Sequence, residues 1–184
     1  MMSSTPIPSP VAAPGHMSVD YEERVDFDRL RTYRLARAKA SLEASECGAF
    51  LLFDFYNIRY TTQTWIGGAL GDKMTRYALL TRTEPAPYLW DFGSAVRHHQ
   101  LYSNWLPDEN CRPGMLGLRG AVAPSAGLME SAVREIKGLL EDAGVAGLPV
   151  GMDIVEPPFL FEMQRQGLKV IDAQQLMLDA RACL

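Results

Sequence analysis

The sequence has little of what most sites are built from. Of its 184 residues only three are cysteines, Cys47, Cys111 and Cys183, and three are histidines, His16, His98 and His99. The cysteines are widely spaced, with no CxxC pair and an odd count. That excludes a disulfide framework and a zinc-ribbon arrangement, and it fits reduced thiols in a cytoplasm. The two adjacent histidines point about 100° apart if helical, so they cannot chelate one ion from a single face. A metal site within the chain is not expected, nor is a zinc centre built from Asp91, His98 and a distant carboxylate. Positive charge is not in excess either: the net charge is −4, which gives no bulk attraction for nucleic acid or for an anionic membrane. No apolar run reaches the length of a membrane helix. No basic stretch precedes an apolar one near Met1, so a secretory signal is not expected. No internal repeat is visible.

What is present is ordinary globular material, 47% hydrophobic and 22% charged, enough for one domain with a real core. Residues 1–24 stand apart. Pro6, Pro8, Pro10 and Pro14 sit among Ser, Ala and Gly, a composition that reads as a disordered tail. Residues 25–180 read as the folded domain.

The spacing predicts a helix from Phe27 to Glu46, capped by Asp26 and ended by Gly48. The continuous apolar run Ala49 to Phe53 has the length of a strand buried on both faces. Strands are expected at Arg76–Thr81 and Pro87–Asp91, around the turn-rich Thr83 to Ala86. A short helix follows at Ser94–Trp105, with Asp91 as its cap. Residues Cys111–Pro124 read as a glycine-rich loop holding a strand around Met115–Leu118. A second clear helix spans Gly127–Ala143, with Leu128, Ala132, Val133, Ile136, Leu139 and Leu140 on one stripe and Gly144 as breaker. A strand at Leu148–Ile154, a helix started by Pro157-Pro158, a strand at Lys169–Ile171 and a helix at Ala173–Ala180 complete the order. The fold class is α/β: a mixed sheet flanked by helices.

Two familiar chemistries fail on the residues. Gly67-Gly68-Ala69-Leu70-Gly71-Asp72-Lys73 lacks the spacing of a phosphate loop. Ser94, His98 and Asp91 hold the inventory of a hydrolytic triad. However, Ser94 is not in a G-x-S-x-G elbow, and near neighbours on one helix do not converge as a triad must. One histidine is expected to pack against an aromatic ring or a backbone group, the other to face water. The glycine-rich tip beside Trp65 reads as an exposed loop of the kind that contacts ligands or partners.

Two segments carry a resemblance. Phe53-Asp54-Phe55-Tyr56-Asn57-Ile58-Arg59-Tyr60 resembles the D-x-x-N-I-x-Y-x-x-G segment of the creatinase, aminopeptidase P and prolidase superfamily N-terminal domain. The run from Trp90 to Trp105, WDFGSAVRHHQLYSNW, is similar to the dimethylsulfoniopropionate lyases that branch from that superfamily. The ending Ile171–Arg181 resembles the passage into their catalytic, pita-bread domain. The resemblance implies a sheet of roughly six mixed strands flanked by helices. It implies a non-catalytic domain without catalytic residues or metal ligands, the divalent metal (iron, zinc or manganese) belonging to a C-terminal domain absent from these 184 residues. It implies a homodimer partnered also by that catalytic domain, with the loop from Thr61 to Met74 bordering the other subunit's active site. Trp65, Asp72, Lys73 and Arg59 are then the residues to touch substrate or partner. Trp65 is equally read as an interface anchor. Arg59 is read as a structural ion pair or as a fork for a substrate carboxylate. The complete enzyme would be a lyase releasing dimethyl sulfide, or alternatively an Xaa-Pro aminopeptidase or dipeptidase. A free-standing dimerisation module is the reading from another class.

Overall fold

The computed structural model describes residues 25–65, 74–115 and 124–182. The expected tail, Asp72, Lys73 and Cys183 lie outside them.

Helix α1 spans Phe27–Ala44, and the Asp26 carboxylate accepts the Arg29 N–H at its start. Its end differs from expectation. Ser45, not Gly48, closes it: the Ser45 N–H and hydroxyl both donate to Leu42 O, and the hydroxyl oxygen accepts the Cys47 N–H. Gly48 is small for another reason, since a Cβ there would sit 2.9 Å from the Leu148 and Val145 side chains.

Six strands follow: β1 (Ala49–Leu52), β2 (Tyr77–Thr81), β3 (Tyr88–Asp91), β4 (Cys111–Pro113), β5 (Val150–Met152) and β6 (Val170–Asp172). They form one mixed sheet in the order β4-β3-β2-β1-β5-β6. The pairs β1–β2 and β2–β3 are antiparallel, and β3–β4, β1–β5 and β5–β6 are parallel. The expected α/β architecture with a mixed six-stranded sheet is therefore present. The strand expected around Met115–Leu118 lies mostly outside the described residues, and strand β4 was not expected. Its Pro113 cannot donate to a ladder, which suits its place at the sheet edge.

Both faces of the sheet are covered, and β1 shows why its sequence does not alternate. Ala49, Leu51 and Phe53 face α4 (Leu128–Asp142) and α5 (Pro157–Arg165), packing with Val133, Ile136, Leu140, Phe159 and Met163. Phe50 and Leu52 face the other way. They pack with Leu42 of α1, Ile58 of α2 (Phe55–Thr62) and Met177 of α6 (Gln174–Arg181). With period two and two buried faces, every residue of the strand must be apolar. Helix α3 (Gly93–Tyr102) closes this second layer.

Helix α2 was not expected. The Asp54 carboxylate caps it, accepting the N–H groups of Tyr56 and Asn57. It ends at Gln63, whose φ of 52° makes it the one non-glycine residue with positive φ among those described. The closing glycine of the D-x-x-N-I-x-Y-x-x-G pattern falls on this position.

Candidate functional site

The Asp54-Phe55-Tyr56-Asn57 stretch is fixed from below by a buried carboxylate at the end of β5. Asp153 Oδ1 accepts the N–H of Phe53 at 2.8 Å, and its Oδ2 accepts the N–H of Asp54 at 2.9 Å and Asn57 Nδ2 at 3.0 Å. Asn57 is fully buried, and its Oδ1 accepts from Arg181 at 2.9 Å. Burial pushes the Asp153 carboxyl above its ordinary range, and the N–H donors of Phe53, Asn57, Ile154 and Asp54 pull it back. The Asp and Asn of the recognised segment are therefore architectural: one caps α2, and the other ties it to β5 and α6.

Helix α2 delivers Arg59 and then Trp65. The Trp65 ring meets Phe55 edge-on at 4.4 Å between centroids, and the Arg59 guanidinium lies 4.4 Å from the Trp65 ring centre. Among the described residues no carboxylate pairs with Arg59, and the contact its guanidinium makes there is cation–π. Trp65 remains 51% exposed. It borders a shallow cavity of about 310 Å³ with Phe92, Ser94, Ala95 and His98 at the start of α3.

Beneath this shelf lies a charged group that the sequence reading missed. Arg76 Nε stands 3.2 Å from Asp91 Oδ2, close enough for charge attraction but not aligned as a hydrogen bond. His99 Nε2 is 3.0 Å from the same oxygen. All three side chains are buried. Arg76 Nη2 donates to Thr64 O at 3.1 Å and Thr64 Oγ1 at 2.5 Å, and so holds the residue before Trp65. Desolvation lowers the Arg76 guanidinium from its ordinary range, and Asp91 opposes it. The far side of the turn is held by Trp105, whose ring N–H donates to Thr62 O at 2.8 Å.

This arrangement corrects two expectations. Asp91 does not cap α3: its Oδ1 accepts only the adjacent Phe92 N–H, while Phe92 is the cap residue and makes no side-chain capping bond. The buried histidine is His99, paired with a carboxylate and not with an aromatic ring or the backbone. His98 is exposed and tilts against Tyr102 at 4.8 Å. As expected, no Ser94-His98-Asp91 relay forms, because Asp91 pairs with His99. A signal for the Arg76–Asp91 pair did exist. Tyr77 pairs with Trp90 and Ala78 with Leu89 across the β2–β3 hairpin, so the next positions outward are Arg76 and Asp91.

Among the described residues no three His, Cys, Asp or Glu side chains stand together as a metal-binding group. The donors among the described residues do not fit a metal centre. Cys47 and Cys111 are buried free thiols, pushed up by burial. No helix among the described residues is long and apolar enough to cross a membrane.

No family model matches the chain, and no curated protein matches it significantly. Solved structures do. The aminopeptidase P, an Xaa-Pro aminopeptidase, from Streptococcus thermophilus aligns with 83% of this chain and 98% of its own, at 17% identity and a TM-score of 0.52. The N-terminal domain of a cytoplasmic peptidase from Mycobacterium tuberculosis aligns with 80% of this chain and 98% of its own, at 20% identity and a TM-score of 0.51. An Xaa-Pro dipeptidase from Bacillus anthracis aligns with 82% of this chain at 12% identity and a TM-score of 0.54; there the match spans only 36% of the neighbour. At these identities the likeness is one of fold, and the chain has the fold of the N-terminal domains of the creatinase, aminopeptidase P and prolidase group.

Proposed function

We propose that this chain acts as the non-catalytic N-terminal domain of a creatinase-like metalloenzyme, and that the complete enzyme is an Xaa-Pro peptidase. The observation that carries the reading is the fold, since neighbours of matching length are N-terminal domains or Xaa-Pro aminopeptidase chains of similar extent. In this reading a C-terminal domain holds the divalent metal (iron, zinc or manganese), and two copies associate. The Arg59–Trp65 shelf then borders the partner copy's active site, and the same role is proposed for Asp72 and Lys73. A half-exposed tryptophan, stiffened by Phe55 and Arg59 and flanked by a shallow cavity, suits a wall against substrate or partner.

The lyase reading rests on the run from Trp90 to Trp105. Within it Trp90, Asp91, Ala95 and His99 are buried, and packing and the Arg76 pair account for their identity. Their presence therefore supports a shared architecture more than a shared substrate. The peptidase reading takes precedence for that reason.

The test is the native protein. An antibody raised against this chain measures its mass in source cells. A species at roughly twice the 20.4 kDa of this sequence is expected, as a second domain of ordinary size would add. Purified, that species should hydrolyse an Xaa-Pro dipeptide in a chelator-sensitive manner. Release of dimethyl sulfide from dimethylsulfoniopropionate without peptidase activity would restore the lyase reading. A native species near 20 kDa would overturn both in favour of a free-standing module.

A further inference from the structure

Four guanidiniums line one cleft of about 370 Å³ between α1, α2 and α6: Arg34, Arg37, Arg59 and Arg181. The chain as a whole is acidic, so this concentration of positive charge does not follow from composition. Two of the four have structural work. Arg37 donates to Ala180 O at 2.7 Å and Ala182 O at 2.8 Å, satisfying carbonyls at the end of α6. Arg181 donates to Asn57 Oδ1 and has the Asp54 carboxylate at 3.8 Å.

The other two are different. Arg34 lies 5.7 Å from the centre of the Tyr60 ring, and Arg59 lies over Trp65. Neither has a carboxylate partner among the described residues. Among the described residues the Asp54 carboxylate stands near Arg181, and the Asp179 carboxylate accepts from Gln175. Assembling like charges in a concave space is unfavourable unless a counter-charge relieves it. The ring contacts orient the forks without using up their N–H donors.

We propose that this cleft is a binding site for a compact dianion, the phosphate or dicarboxylate group of a small molecule. Arg34 and Arg59 grip it, and Arg37 and Arg181 brace the walls. Planar guanidinium forks match both oxyanion types in a bidentate manner. The site shares Arg59 with the shelf of the proposed function, but Arg34 belongs to the cleft and the binding is tested on this chain alone.

The experiment titrates the chain with inorganic phosphate, and separately with succinate, at constant ionic strength, following backbone amide shifts by NMR. Saturable shifts confined to α1, α2 and α6 are expected with at least one probe, and the stronger probe identifies the oxyanion type. R34Q and R59Q should each weaken binding about tenfold, the loss of one charge-assisted hydrogen-bonding partner. Both variants should keep the wild-type melting temperature within a few degrees, because the guanidinium contacts found among the described residues are with aromatic rings. K169Q, remote from the cleft, should bind as wild type. Absence of saturation with both probes, or undiminished binding in R34Q and R59Q, would overturn the proposal.

Discussion

Replacing Asp91 by Asn tests whether the shelf is held by buried charge. Asp91 and Arg76 have side-chain exposures of 1% and 4%, so solvent screening does little to weaken their attraction. The substitution keeps the shape and the Phe92 contact but leaves the Arg76 guanidinium buried without a counter-charge. Removing one partner of a buried pair typically costs about 3–5 kcal/mol. For a domain of this size that lowers the melting temperature by about 6–20 °C. The assay is urea and thermal unfolding of wild type, D91N, R76M and R76M/D91N. The double variant removes both charges, so its loss should fall short of the sum of the single losses by about 2 kcal/mol or more. Only the variants lacking Arg76 should also alter Trp65 emission, because Arg76, and not Asp91, bonds Thr64. A D91N loss below about 1 kcal/mol, or additive losses, would refute the account.

Burial pushes the Tyr77 phenol well above its ordinary value of 10.0 and the Cys47 and Cys111 thiols above 9.0. The unfolded chain releases these protons first, so their stabilisation is complete below about pH 9 and is lost as pH rises beyond it. Y77F keeps the stack on Trp90, at 4.8 Å between centroids, and should flatten the alkaline limb of stability measured by urea melts. A Cβ on Gly114 would sit 2.1 Å from the Thr75 carbonyl oxygen, a backbone atom that cannot swing aside as a side chain can. G114A should therefore cost at least about 2 kcal/mol in the same melts. Q63G relieves a left-handed φ of 52° and should raise the melting temperature by about 1–3 °C. R59A should make Trp65 emission more accessible to acrylamide while costing under about 1 kcal/mol.

The elements legible in the sequence are those whose period is set by burial. The stripe of α4 and the unbroken apolar run of β1 fall into this class, because each residue's environment repeats predictably along the chain. Helix α2 was not legible. Phe55, Tyr56, Ile58, Tyr60, Thr61 and Thr62 have poor intrinsic helix preference. Their helix is imposed by the Asp54 cap and by Asn57 held between Asp153 and Arg181, contacts that span 96 and 124 residues. The charged group under Trp65 was hidden for a related reason. Arg76, Asp91 and His99 follow no single-element period. The hairpin register brings the first two together, and the turn into α3 adds the third. Arg59 and Trp65 were legible as exposed candidates, but their mutual contact depends on the Gln63 turn.

Arg59 stands between two surfaces, because the guanidinium that lies over Trp65 also lines the arginine cleft. A substitution there perturbs both, so loss of any function in R59A alone assigns nothing. The neighbours separate them. Arg34 lines the cleft and contacts Tyr60 but not Trp65, whereas Trp65 lines the shallow cavity beside α3 and not the cleft. If the shelf borders a partner's active site, W65A in the complete enzyme should raise KM or weaken self-association, and R34Q should do neither. If the cleft binds a dianion, R34Q should weaken about tenfold the binding that W65A leaves intact. The two effects can merge only through Arg59, and R34Q and W65A measured together then give independent losses that add.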